Sequence, residues 1–256
     1  MITINPFAEV SLMVSPIIMQ AFVILMVVLV VVGTFFEMFH KKNVTYFFKN
    51  AKKAKQSATK TLGVGEKTSI VIKTVATDVL TTAELGAGQR RIAHVLGMWG
   101  TILFWVTSAI MIFCYSTTVS ETPSIYPLLW HLGAIVTCVG GYWFWFFLRV
   151  DVSAEGYPWY RIVRADLFVL SLVITATLGL IWSYLQSKNI DVWDTLFLVL
   201  FGGIYWSKFA HMFYKPGAAI QKRLAEADGS NENLPYPTDK PKQFGLGIKR
   251  EAPKHY

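Results

Sequence analysis

Charge and cysteine are what this sequence has least of. Only 16% of its 256 residues are Asp, Glu, Lys or Arg, against about a quarter in an ordinary soluble domain. Apolar side chains make up 54% of the chain and the mean hydropathy is +0.43, a balance that does not make a water-soluble globule. The two cysteines, Cys114 and Cys138, both fall inside apolar stretches. That excludes a disulfide framework, a CxxC redox pair and a cysteine-ligated cluster. The period-two alternation of a membrane barrel strand is missing as well. Secreted enzymes, zinc modules and soluble dinucleotide enzymes all fall away.

Long apolar runs are what is there. Five stretches each supply the ~20 residues that a helix needs to cross a ~30 Å hydrocarbon core: about Pro16–Phe39, Ala93–Tyr115, Tyr126–Leu148, Asp166–Leu185 and Trp193–Phe213. The expected fold is all-α, an integral membrane bundle of five helices. The first stretch lacks a basic leader and an A-x-A cleavage site, so it reads as a span and not as a secretory signal. The chain then divides into an N-terminus with the first span (1–39), a basic segment (40–92), a four-helix core (93–213) and a tail (214–256). That tail holds Pro216, Pro235, Pro237, Pro241 and Pro253 and few apolar residues, so it is not expected to bury a core by itself.

The basic residues give an orientation. Of the 24 lysines and arginines, Lys188 alone falls on the opposite side of this five-span arrangement from the rest. The positive-inside rule then places the N-terminus outside and the C-terminus in the cytoplasm of a prokaryotic inner membrane. The net charge of +8 is thereby topological, and no nucleic-acid partner is expected. The segments 40–92 and 214–256 are expected to form a docking platform for a soluble partner, with membrane lipid the other reading for Lys41, Lys42 and the cluster from Lys49 to Lys55. Trp130, Trp182 and Trp193 at one level, and Trp99, Trp159 and Trp206 at the other, read as interfacial belts.

Ionisable groups inside spans are expensive and mark function or a paired site. Alternating helix direction puts His94 and His211 at the same depth near the cytoplasmic face. Two neutral imidazoles on separate helices at one depth are what a low-spin haem b takes as axial ligands. Gly97, Gly100, Gly202 and Gly203 would let the backbones admit a porphyrin, while Arg90, Arg91 and Lys208 lie at a level suited to its propionates. The other reading makes His94 and His211 interhelical hydrogen-bonding residues and the glycines helix contacts. Spacing alone leaves both open. At the outer level, His131, Tyr126 and Asp194 form a candidate quinone pocket. A simpler account has Asp194 serving a helix N-terminus and His131 bridging helices. Met111 is the soft side chain level with His131 should that histidine meet a haem instead. Gly63-Val64-Gly65-Glu66-Lys67-Thr68 hints at a phosphate loop, but it lacks the full spacing and a preceding strand.

Two stretches carry a family resemblance. Gln89-Arg90-Arg91-Ile92-Ala93-His94-Val95-Leu96-Gly97-Met98-Trp99-Gly100 resembles the start of the second span in the nitrate reductase gamma-subunit superfamily. Ile204-Tyr205-Trp206-Ser207-Lys208-Phe209-Ala210-His211-Met212-Phe213-Tyr214-Lys215-Pro216 resembles the end of its fifth. His131-Leu132-Gly133-Ala134 and Arg164-Ala165-Asp166-Leu167-Phe168 echo the third and fourth, so the resemblance covers residues 70–216. The superfamily includes membrane cytochromes b of heterodisulfide-reductase-like and dissimilatory sulfur complexes. The resemblance implies a haem b on His94 and His211, quinone as substrate and a cytoplasmic iron–sulfur or flavin oxidoreductase as partner. Members with two haems carry further histidines where this chain has Phe104 and Trp193, so one haem is implied here. In size, span count and lack of an iron–sulfur motif the chain is also similar to the five-helix membrane anchors of cytoplasmic adenylylsulfate reductase. Those anchors make a haem-free role the alternative.

Overall fold

The computed structural model describes residues 2–40, 43–83, 88–119, 121–149, 160–162, 166–188 and 209–230. Every regular element among them is a helix. Four are long and apolar enough to cross a membrane: Pro16–Phe36, Gln89–Cys114, Ile125–Leu148 and Leu167–Gln186. The protein is an all-α, multi-pass membrane protein. The first four expected spans coincide with these helices within a few residues; most of the fifth, 193–208, lies outside the described residues.

In chain order the helices are α1 (Pro6–Val10), α2 (Pro16–His40), α3 (Asn43–Gln56), α4 (Val64–Thr74) with a π turn at Val75–Val79, α5 (Gln89–Cys114), α6 (Ile125–Trp143) with a π turn at Phe144–Leu148, α7 (Leu167–Gln186) and α8 (Phe209–Ala227). They fall into two compact units. One is Met1–Val32, Ile92–Arg149 and Trp159–Trp206; the other is Gly33–Arg91, Val150–Pro158 and Ser207–Tyr256.

The first unit is the apolar bundle. Small residues let α5 and α6 touch backbone to backbone: a Cβ added at Gly100 would lie 2.6 Å from the Thr137 nitrogen, and one at Gly133 2.6 Å from the Phe104 nitrogen. Gly140 meets Gly97 in the same way. Such close approach replaces the missing hydrophobic drive between helices in lipid. Polar side chains tie the helices further, Trp130 Nε1 donating to Ser108 Oγ at 2.8 Å across α5 and α6, and Tyr142 meeting Thr177 at 2.9 Å across α6 and α7. By contrast only 11% of the apolar window of α2 is buried, against 39% in α5 and α6 and 33% in α7. Within the described residues, α2 therefore presents most of its circumference to lipid.

The short helix α1 closes one end of this bundle. Asn5 caps it by accepting from the Phe7 N–H, with Pro6 at its first position. A helix of this length has no stability of its own; the bundle holds it. Asn5 Nδ2 donates to the Tyr115 carbonyl at 2.8 Å and to Thr122 Oγ1 at 3.0 Å, and Gln186 Nε2 donates to the Pro6 carbonyl at 3.1 Å. Phe7, 1% exposed, packs edge-on against Trp130 and Trp182 with ring centroids 6.0 and 5.5 Å away. Burying such a ring contributes about 1.5–3 kcal/mol.

The described parts of the second unit are mainly helical. The part of the tail that is described is helical, α8 running from Phe209 through Pro216 to Ala227. Pro216 removes one backbone bond, and Ala218, Ala219, Gln221, Lys222, Arg223, Leu224 and Ala225 restore helix preference after it. This part of the tail does have a core to join. Ala219 and Ala225 are buried, and Arg223 pairs with Asp78 at 3.0 Å on the π turn that follows α4. The Asp228 carbonyl accepts from the Thr59 and Lys60 N–H groups at 3.0 and 3.1 Å.

Candidate functional site

The residues proposed to hold a haem are reached by the structure in part. His94 lies in the second turn of α5 and is exposed. A Cβ added at Gly97, one turn on, would meet nothing within 4 Å. Gly100, in contrast, spends its missing side chain on contact with α6, so the space next to it belongs to Thr137 and Gly133 and not to a macrocycle. That corrects the reading of Gly100 as room for a porphyrin. His211 lies on α8, but its side chain, like Lys208, Gly202 and Gly203, is outside the described residues.

Arg90 and Arg91 open α5, half-buried. Arg91 is engaged: its Nε donates to the Thr81 carbonyl and Nη2 to Thr81 Oγ1, each at 2.8 Å. The neighbouring Thr82 sits at φ 49°, a left-handed conformation that costs a β-branched residue roughly 1–2 kcal/mol. Arg91 thus clamps a strained turn, and a guanidinium with five N–H donors keeps others to offer.

His131, assigned to quinone at the sequence level, is 4% exposed and its two ring nitrogens both have protein partners. Nδ1 lies 2.7 Å from the Pro127 carbonyl, which can only accept, so Nδ1 carries the hydrogen. In the neutral ring Nε2 is then the acceptor for the Ser183 hydroxyl of α7, 2.8 Å away. Edge-on packing against Trp130, with centroids 4.9 Å apart, completes its surroundings. The side chain bridges α6 and α7, and with Nε2 engaged it presents no lone pair to a metal in partnership with Met111. Tyr126 is half-buried against Tyr115, rings 5.6 Å apart. Five positions along one helix rotate a side chain by about 140°, so Tyr126 and His131 leave α6 on different sides. Asp194 lies outside the described residues.

The other end of the bundle holds a pair that charge counting alone did not reveal. Arg149 follows the π turn of α6, and Asp166 immediately precedes α7; both are 7% exposed. Arg149 Nε donates to Asp166 Oδ1 at 3.1 Å, while Nη2 reaches Asp166 Oδ2 and the Arg161 carbonyl. The guanidinium also lies over the Trp145 ring, 3.9 Å from its centroid. Asp166 spends its carboxylate here, not on capping α7.

The phosphate-loop hint has a local explanation. Glu66 sends its carboxylate back to the Gly63 N–H at 2.9 Å, the arrangement that starts α4. That bond, with Lys60 nearby, holds the Glu66 carboxyl below its usual range. Among the described residues, no group of three or more His, Cys, Asp or Glu is placed to hold a metal ion. Compared with protein-family models, with curated proteins and with solved structures, the chain finds no match.

Proposed function

We propose that this chain is the membrane subunit of a redox complex, exchanging electrons between the quinone pool and a cytoplasmic iron–sulfur or flavin oxidoreductase. The proposed setting is a prokaryotic inner membrane, with five spans, the N-terminus outside and the C-terminus in the cytoplasm. His94 and His211 would hold one haem b, with Arg90, Arg91 and Lys208 beside its propionates. When bound, that haem supplies one-electron transfer; the protein supplies ligation, field and docking. The observation that carries this reading is the exposed His94 with open space at Gly97 one turn beyond. Quinone contact is proposed at Tyr126 and Asp194, while His131, first a candidate for the same pocket, ties α6 to α7. Dissimilatory sulfur metabolism is the setting that the family resemblance favours.

A second reading is a haem-free anchor that recruits a soluble reductase such as adenylylsulfate reductase. It is favoured by the α5–α6 seam, where Gly100, Gly133 and Gly140 serve backbone contact. Both readings require a docked enzyme, and residues 231–256, beyond the Arg223–Asp78 pair, are the proposed dock. Deleting them should leave membrane insertion intact and release the enzyme from washed membranes. An enzyme that stays bound through the deletion and through high salt would remove the tail from the account.

A further inference from the structure

The helix α3 follows the long membrane helix α2 after only residues 41 and 42, so the chain itself keeps its start within ~10 Å of the end of α2. Its sequence, NVTYFFKNAKKAKQ, contains four lysines and no acid. At ~100° per residue, the exposed Thr45, Phe48, Lys49, Lys52, Lys53 and Lys55 occupy one side of the helix. Phe47 and Ala51, less exposed, occupy the other. Phe47 has an inward partner, since a Cβ added at Gly217 of α8 would lie 3.9 Å from its ring. Phe48 does not share that direction. It is 65% exposed, turned edge-on to Phe47 and set among the lysines.

We infer that α3 is an interfacial helix whose Phe48 and lysine face binds the anionic lipid headgroups of the leaflet in which α2 ends. An aromatic ring flanked by lysines suits that boundary: the ring enters the acyl edge while the lysine stems run along it and the ammonium groups meet phosphates. Water offers nothing for a phenyl ring so exposed, whereas a bilayer already lies within reach of the chain. The electrostatic part amounts to about fivefold in affinity per lysine near an anionic surface. The basic face of α3 is thereby assigned to lipid and not to the docked enzyme, and this assignment stands whether or not the chain binds haem.

The test uses the full chain with Cys114→Ser and Cys138→Ser, spin-labelled at Phe48→Cys, in nanodiscs of phosphatidylcholine alone or mixed with phosphatidylglycerol. Collision of the label with oxygen reports the bilayer and collision with a nickel chelate reports water. Phosphatidylglycerol should raise the first and lower the second, and salt should reverse both. Replacing Lys49, Lys52, Lys53 and Lys55 with Gln should abolish the response while the helical circular dichroism is retained. Equal accessibility in the two lipids, or a response that survives the four substitutions, overturns the inference. Protection that appears only when a soluble protein fraction is added overturns it in favour of a protein dock.

Discussion

Ser183 on α7 and His131 on α6 are joined by a hydrogen bond of 2.8 Å from the serine hydroxyl to Nε2, and the Pro127 carbonyl holds the other ring nitrogen. The imidazole is therefore a fixed strut between two spans, beside the ring cluster that Phe7 of α1 completes. His131→Ala strands the buried Ser183 hydroxyl and empties the space beside Trp130, a loss of about 2 kcal/mol. Ser183→Ala should lower the melting temperature in detergent less, as interhelical hydrogen bonds in membranes average about 0.6 kcal/mol. Turnover with quinol, per folded molecule, should be nearly unchanged in both. Lost turnover at an unchanged melting temperature would instead place the quinone on His131.

The α5–α6 seam gives a sharper test of packing. Gly133→Ala puts a carbon 2.6 Å from the Phe104 backbone nitrogen, where no flexible side chain can yield. The helices must separate, at about 1–3 kcal/mol. Gly97→Ala, whose added carbon meets nothing within 4 Å, should be tolerated far better. Melting of the two variants in the same detergent compares them directly.

Asp78 and Arg223 make an unequal pair: the carboxylate side chain is 1% exposed, the guanidinium 48%. Arg223→Ala leaves a buried carboxylate without its donor and should cost about 1–3 kcal/mol. Asp78→Ala returns a half-exposed guanidinium to water and should cost less, about 1 kcal/mol. Hydrogen exchange over residues 64–79 and 209–227 reads both.

Arg223, donating to Asp78, holds that carboxyl below its ordinary value of 3.8. A depressed folded value means stability that is present above the unfolded value and lost as pH falls through the folded one. Protection of the second unit should thus hold from neutral pH down to about 4 and then decline. Asp78→Asn should remove that part of the acid response, and an identical acid profile in the variant would discount the pair.

Spans were legible in the sequence because lipid demands a continuous apolar length, and the runs beginning at Pro16, Ala93, Tyr126 and Asp166 each meet it. The glycines were legible as close contacts but not as to partner, since Gly100 reads equally well against a helix or a macrocycle. Helix α1 escaped because its few residues merge with the apolar run that follows, although Asn5 before Pro6 was a start signal. Arg223 with Asp78, and His131 with Ser183, are pairs between distant parts of the chain, which no local period encodes. In the sequence Arg149 is one more positive charge near the end of an apolar run; its burial against Asp166 and Trp145 depends on how α6 and α7 meet.

The visible spectrum of the purified, dithionite-reduced protein tests the proposed function most directly. The account predicts a sharp α-band and a pyridine haemochrome equivalent to one haem b per chain. His94→Ala and His211→Ala should each abolish the band, while His131→Ala should retain it. A colourless wild-type chain that still carries its docked enzyme would contradict the haem and leave the anchor.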